Sequence, residues 1–166
     1  MYPYSTNFSQ YKEKNIDNNM SINSRQDSFI KQDKKVLELI QTAIDGSSKL
    51  ANIYNNMSNM TSNSTDKKIL HDMYLCELKH SKFLNEIYYI SSGEKAQQKN
   101  SEPMNQPDSY SKCIEDCIIN CVEFADFLTS IISNFLNLEI RDMLTEIING
   151  NQNSAIKLNF LLIRKK

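Results

Sequence analysis

At 166 residues the chain is sized for one domain with a buried core, and its 19 basic and 20 acidic residues nearly cancel to a formal charge of -1. That balance removes any electrostatic reason to expect nucleic acid or an anionic membrane as partner. With three glycines and three prolines the sequence lacks the punctuation that many strands and turns require, so an all-α fold is expected. No apolar run approaches the roughly 18 residues of a membrane span, and no basic stretch followed by a hydrophobic core opens the chain, so a cytoplasmic location is expected.

Residues 1–32 are rich in Asn, Ser, Gln and Tyr with too few apolar positions to define a buried face, and they read as a flexible polar tail. The domain proper is expected over 33–166. Val36, Ile40, Ala43, Ser47, Leu50, Tyr54 and Met57 step by three and four, one stripe of an amphipathic helix over about 33–60. The small polar residues 61–65 end it, with Ser64 or Thr65 as the cap of a second helix over about 65–92. Its stripe is Leu70, Met73, Glu77, His80, Leu84 and Ile87, and Gly93 is a natural stop.

Between residues 92 and 109 the chain is polar and holds Pro103 and Pro107, which cannot continue a helix, so this is read as a long connection. A third helix over about 110–133 carries Ile114, Ile118, Cys121, Ala125, Leu128 and Ile132. After a short break at 134–137, a fourth over about 137–163 carries Ile140, Leu144, Ile147, Asn151, Ser154, Leu158 and Leu161. Two helical hairpins joined by a long crossover form the ferritin-like arrangement of a four-helix bundle.

Glu77 and His80 are exceptional because they take consecutive places on a stripe that is otherwise core, which aims both at the bundle axis. An unpaired buried carboxylate costs several kcal/mol or changes its protonation, so it demands a partner. A metal ion is one such partner. In di-iron carboxylate bundles two helices each give a Glu and the other two each give Glu-x-x-His, because a spacing of three puts carboxylate and imidazole on one helical face.

The segments Ala43-Ile44-Asp45-Gly46-Ser47, Cys76-Glu77-Leu78-Lys79-His80-Ser81-Lys82-Phe83-Leu84-Asn85-Glu86-Ile87-Tyr88 and Glu139-Ile140-Arg141-Asp142-Met143-Leu144-Thr145-Glu146-Ile147 resemble rubrerythrin-like ferritin-fold proteins of low-GC Gram-positive bacteria, over about residues 33–163. The resemblance implies six metal-ligand positions, of which this chain keeps Glu77 and His80. Where the family pattern has Glu at 47 and 118, this chain has Ser47 and Ile118. Where it has Asp-Glu-x-x-His over 150–154, the chain reads Gly150-Asn151-Gln152-Asn153-Ser154. Neutral Ser, Ile and Asn cannot offset the charge of two iron ions, so no di-iron centre and no cofactor are expected. The peroxide-reducing or iron-oxidising activity that the resemblance implies is expected to be lost.

In its place the inward positions predict a buried polar network in which Glu77 and His80 meet Ser47, Asn151 and Ser154. An ionised Glu77 would raise the pKa of His80; a neutral Glu77 is the alternative. Tyr54 and Tyr74 are packing residues with a polar tip that can reach the centre, His71 is read as a surface histidine, and the basic residues 164–166 as a solvated helix end.

The four cysteines are Cys76, Cys113, Cys117 and Cys121. Three recur every four residues on one helix, a poor disulfide framework, so reduced thiols are expected. Cys121 falls on the inward stripe with Cys117 and Cys113 drifting to its flank, while Cys76 adjoins Glu77. A mononuclear zinc or iron site from Glu77, His80 and Cys121, with Cys117 as a further ligand, has acceptable donor chemistry; buried cysteine as apolar filler is the plainer reading.

The expected function is that of a non-catalytic ferritin-like protein with a structural or interaction role, forming homo- or hetero-oligomers through helix faces. Relatives implied by the resemblance occur with sporulation, and a Tyr- and Asn-rich tail would suit a spore-associated layer. Two other classes stay open: a residual metal-dependent redox protein using Glu77 and His80, and a zinc or thiol redox sensor using Cys121, which needs exposure and a lowered pKa.

Overall fold

The computed structural model describes residues 34–97 and 109–164, and four helices make up nearly all of them. They are α1 (Lys34–Met60), α2 (Ser64–Ser92), α3 (Tyr110–Ile132) and α4 (Leu138–Ile163), each within one residue of the bounds expected from apolar periodicity. The polar tail at 1–32 lies outside the described residues, as does most of the long connection. Among the described residues no helix is long and apolar enough to cross a membrane.

Local chemistry fixes the helix ends. Asn63, not Ser64 or Thr65, caps α2: its side-chain oxygen accepts from the backbone N–H of Thr65 at 2.9 Å and of Asp66 at 3.1 Å. Ser109 caps α3 by accepting from Lys112 N–H, and Asn137 caps α4 by accepting from Ile140 N–H. Gly93 ends α2 in the left-handed region at φ 75°, where its N–H donates to the Tyr89 carbonyl at 2.8 Å. The chain that follows is pinned to α1 by an amide clamp. Gln41 Oε1 accepts from Gln97 N–H at 3.0 Å while Gln41 Nε2 donates to the Gln97 carbonyl at 2.9 Å.

Helices α1 and α2 pack as one hairpin and α3 and α4 as the other, with α1 against α3 and α2 against α4 joining them. Two apolar clusters give the directions. One holds Val36 and Ile40 from the start of α1, Leu84 and Ile87 from the end of α2, Leu128 and Ile131 from the end of α3, and Ile140 and Leu144 from the start of α4. The other holds Met57, Leu70, Cys113 and Leu161 from the opposite helix ends. Every packed pair is therefore antiparallel, while α2 and α3 run the same way. Helix α2, with 29 residues at about 1.5 Å each, is roughly 40 Å long, so α2 ends and α3 begins a bundle length apart.

The far end is latched by Arg164, whose Nη1 donates to Asp66 Oδ1 at 3.2 Å and joins the end of α4 to the start of α2. Arg164 is thus more than a solvated helix end. Phe135, in the short α3–α4 connection, is also fully buried in the first cluster.

The inward stripes follow the expectation on α1, α2 and α4, but α3 is rotated slightly from it. Its buried row is Cys113, Ile114, Cys117, Cys121, Ala125, Leu128 and Ile131, whereas Ile118 and Ile132 are half-buried at the edges. Cys113 and Cys117 are core residues, not flank residues. Cys113, Cys117, Cys121 and Ala125 place small side chains on this buried row, which lets neighbouring helices pack close to it.

Candidate functional site

Between the two apolar clusters lies a layer of polar side chains that the bundle excludes from water. Ser47 on α1, Glu77 and His80 on α2, and Asn151 and Ser154 on α4 are each no more than 2% exposed. The residues picked out by sequence on those three helices are therefore inward-facing. Position 118 is not part of this layer: Ile118 packs against the apolar cluster that contains Cys117.

The Glu77 carboxylate is held from two sides. Ser47 Oγ donates to Glu77 Oε2 at 2.9 Å and also lies 3.2 Å from the Glu77 carbonyl, while His80 Nδ1 is 3.2 Å from Oε1. The three-residue spacing makes the second contact possible, since it stacks imidazole over carboxylate on one helical face. Burial works to lower the pKa of His80, but hydrogen bonds to Cys76 and Glu77 and the charge of Glu77 outweigh it and raise it to about 9. The ring thus favours its doubly protonated form, in which Nδ1–H donates to the carboxylate.

His80 Nε2 makes a contact that the apolar periodicity did not suggest: it lies 3.4 Å from Cys76 Sγ. Its ring also fills the space that Gly150 leaves open on α4, where an added Cβ would stand 2.4 Å from Cε1 and 2.5 Å from Nε2. Gly150 thus accommodates the imidazole. The signal was available in sequence, because Cys76 is four residues before His80 and a glycine inside α4 is otherwise unfavourable.

Asn151 does not join Glu77 or His80 as expected. Its Nδ2 donates to the Ile147 carbonyl of its own helix at 3.0 Å, and its buried Oδ1 has no hydrogen-bond partner among the described residues. Tyr54 is fully buried with its hydroxyl 3.0 Å from Cys121 Sγ. Burial, followed by the nearby Cys121 and Cys117, raises the pKa of Tyr54 far above its ordinary value. A hydrogen bond between Cys117 and Cys121 lowers the pKa of Cys121 and raises that of Cys117. Tyr74 is half-buried and lies against His71, which is exposed.

The structure therefore separates the cysteines into two groups. Cys113, Cys117 and Cys121 are buried along α3, and Cys76 alone of the four is partly accessible. Cys121 has the lowered pKa that a thiol sensor needs but not the exposure. Among the described residues no group of three or more His, Cys, Asp or Glu side chains is arranged to hold a metal ion. The Glu77, His80, Cys121 and Cys117 combination therefore does not converge as a ligand set, with Cys121 engaged by Tyr54 and Cys117 instead. No family model, curated protein or solved structure matches this chain.

Proposed function

We propose that the protein is a ferritin-like bundle in which a hydrogen-bonded polar layer stands where a di-iron centre would be, and that it acts through binding or assembly. The topology supports the fold reading, since two antiparallel hairpins are joined by a connection between opposite ends of the bundle. The observation that carries the functional reading is the occupation of Glu77: Ser47 engages one carboxylate oxygen and His80 the other. A di-metal site needs several carboxylates to bridge and neutralise its ions, and the other buried groups at this level are Ser47, Asn151 and Ser154. The donor set does not fit two iron ions.

An assembly role is supported by α4, where Ile156, Phe160 and Ile163 are 66%, 52% and 70% exposed at positions that share one helical face. Elemental analysis and light scattering on the purified chain test the two halves of the reading. The expected result is metal far below one ion per chain and a particle mass above that of the monomer that falls on Phe160→Asp. Stoichiometric iron, manganese or zinc that disappears in Glu77→Ala would overturn the metal-free reading. A monomeric wild-type chain would count against self-association through α4.

A further inference from the structure

We propose that Cys76 is a peroxide-reactive thiol, a modification site activated by His80 and Glu77. This goes beyond the binding or assembly role, which assigns no chemistry to the polar layer. The groups form a continuous chain: Cys76 Sγ lies 3.4 Å from His80 Nε2, His80 Nδ1 lies 3.2 Å from Glu77 Oε1, and Ser47 Oγ donates to Glu77 Oε2 at 2.9 Å. It has the order of an activated nucleophile, with the sulfur against a protonated imidazole that a buried carboxylate holds in place. Each member is locked by something independent of the others. Glu77 and His80 are buried, Ser47 approaches from α1, and Gly150 on α4 admits the ring.

Only Cys76 among the four cysteines combines such a partner with access to solvent. Cys76 is only partly exposed, so a small oxidant suits the site better than an acyl or peptide substrate. In the step we infer, the Cys76 thiol gives its proton to solvent, and the thiolate, facing the protonated His80 ring, attacks one oxygen of hydrogen peroxide. An S–O bond forms as the O–O bond breaks, and the sulfur gives up two electrons to the peroxide. The departing hydroxide takes the proton from Nε2 and leaves as water, and the ring regains that proton from solvent. The balance is one thiol and one hydrogen peroxide to one sulfenic acid and one water.

The test compares thiols in the full-length chain. Reduced protein is exposed to hydrogen peroxide, sulfenic acid is trapped with dimedone, and each cysteine's labelling rate is read by peptide mass spectrometry. Ser62→Cys supplies an internal reference, an exposed thiol in the α1–α2 turn with no imidazole contact. Cys76 is expected to label at least about tenfold faster than that reference despite its lower exposure. A smaller ratio, or faster labelling at Cys113, Cys117 or Cys121, overturns the proposal. In His80→Gln the Cys76 rate should fall on the order of a hundredfold; an unchanged rate in the folded variant also overturns it. If that variant does not fold, the Ser62→Cys comparison decides by itself. Because the readout is thiol labelling, its failure leaves the metal-content and assembly results untouched.

Discussion

Replacing Gly150 by alanine sets two effects of opposite sign against each other. Within a helix, alanine is favoured over glycine by about 1 kcal/mol, so on propensity alone Gly150→Ala should stabilise α4. The new Cβ, however, would stand 2.4 Å from His80 Cε1 and 2.5 Å from Nε2, far inside ordinary van der Waals contact. The ring must move by about 1 Å to reach normal separation. That motion breaks the 3.2 Å contact to Glu77, since the distance already sits at the upper edge of a good hydrogen bond.

Losing a charged hydrogen bond costs about 1.5–3 kcal/mol, and forcing extra volume into a packed core costs about 1–3 kcal/mol. Set against the gain in helix propensity, the net loss is about 1.5–5 kcal/mol. For a domain of this size that is a fall in Tm of roughly 3–20 °C. Thermal melts by far-UV circular dichroism measure it directly. Gly46→Ala is the matched control, because its Cβ would meet Phe124 Cε2 at 2.9 Å, an edge carbon of a half-buried ring that holds no hydrogen-bonded polar group. That variant should stay within about 1 kcal/mol of the parent. A Gly150→Ala protein that melts at or above the parent would refute the claim that Gly150 is there to admit His80.

Ser47→Ala removes a donor from a buried carboxylate and should cost about 1–3 kcal/mol in urea denaturation; a change under about 0.5 kcal/mol would mean that Glu77 does not depend on it. The pKa of His80 is raised from 6.5 to about 9, so its contribution is complete below about pH 6.5 and is lost as pH rises through about 9. On that basis folding stability should fall by about 3 kcal/mol across this window. The fall should be smaller in His80→Gln, and an equal fall in both proteins would assign it to other groups. Asn151→Leu removes a buried amide oxygen that has no partner among the described residues, so stability should be unchanged or higher by about 1 kcal/mol. A loss above that in a chemical melt would contradict the reading of Asn151 as unsatisfied.

What the sequence determined by itself is the part written in periodicity and local chemistry. Apolar residues at steps of three and four placed four helices to within a residue, and the same periodicity marked Ser47, Glu77, His80, Asn151 and Ser154 as inward, because a helix of fixed pitch has one face to bury. The tertiary structure decided what those residues do once they are inside. Whether Asn151 reaches across the bundle or back to Ile147 depends on separations between helices, which no intrahelical spacing encodes. The rotation of α3 that makes Cys117 core and leaves Ile118 half-buried depends on how the four helices pack, which the stripe of one helix does not encode. The pairing of Arg164 with Asp66 likewise joins residues at distant points in the chain. Cys76 is the clearest case. Its four-residue spacing to His80 was visible in the chain, but the contact acquires a direction only when Glu77 fixes one ring nitrogen, Ser47 fixes Glu77, and the missing side chain at Gly150 leaves the ring its place.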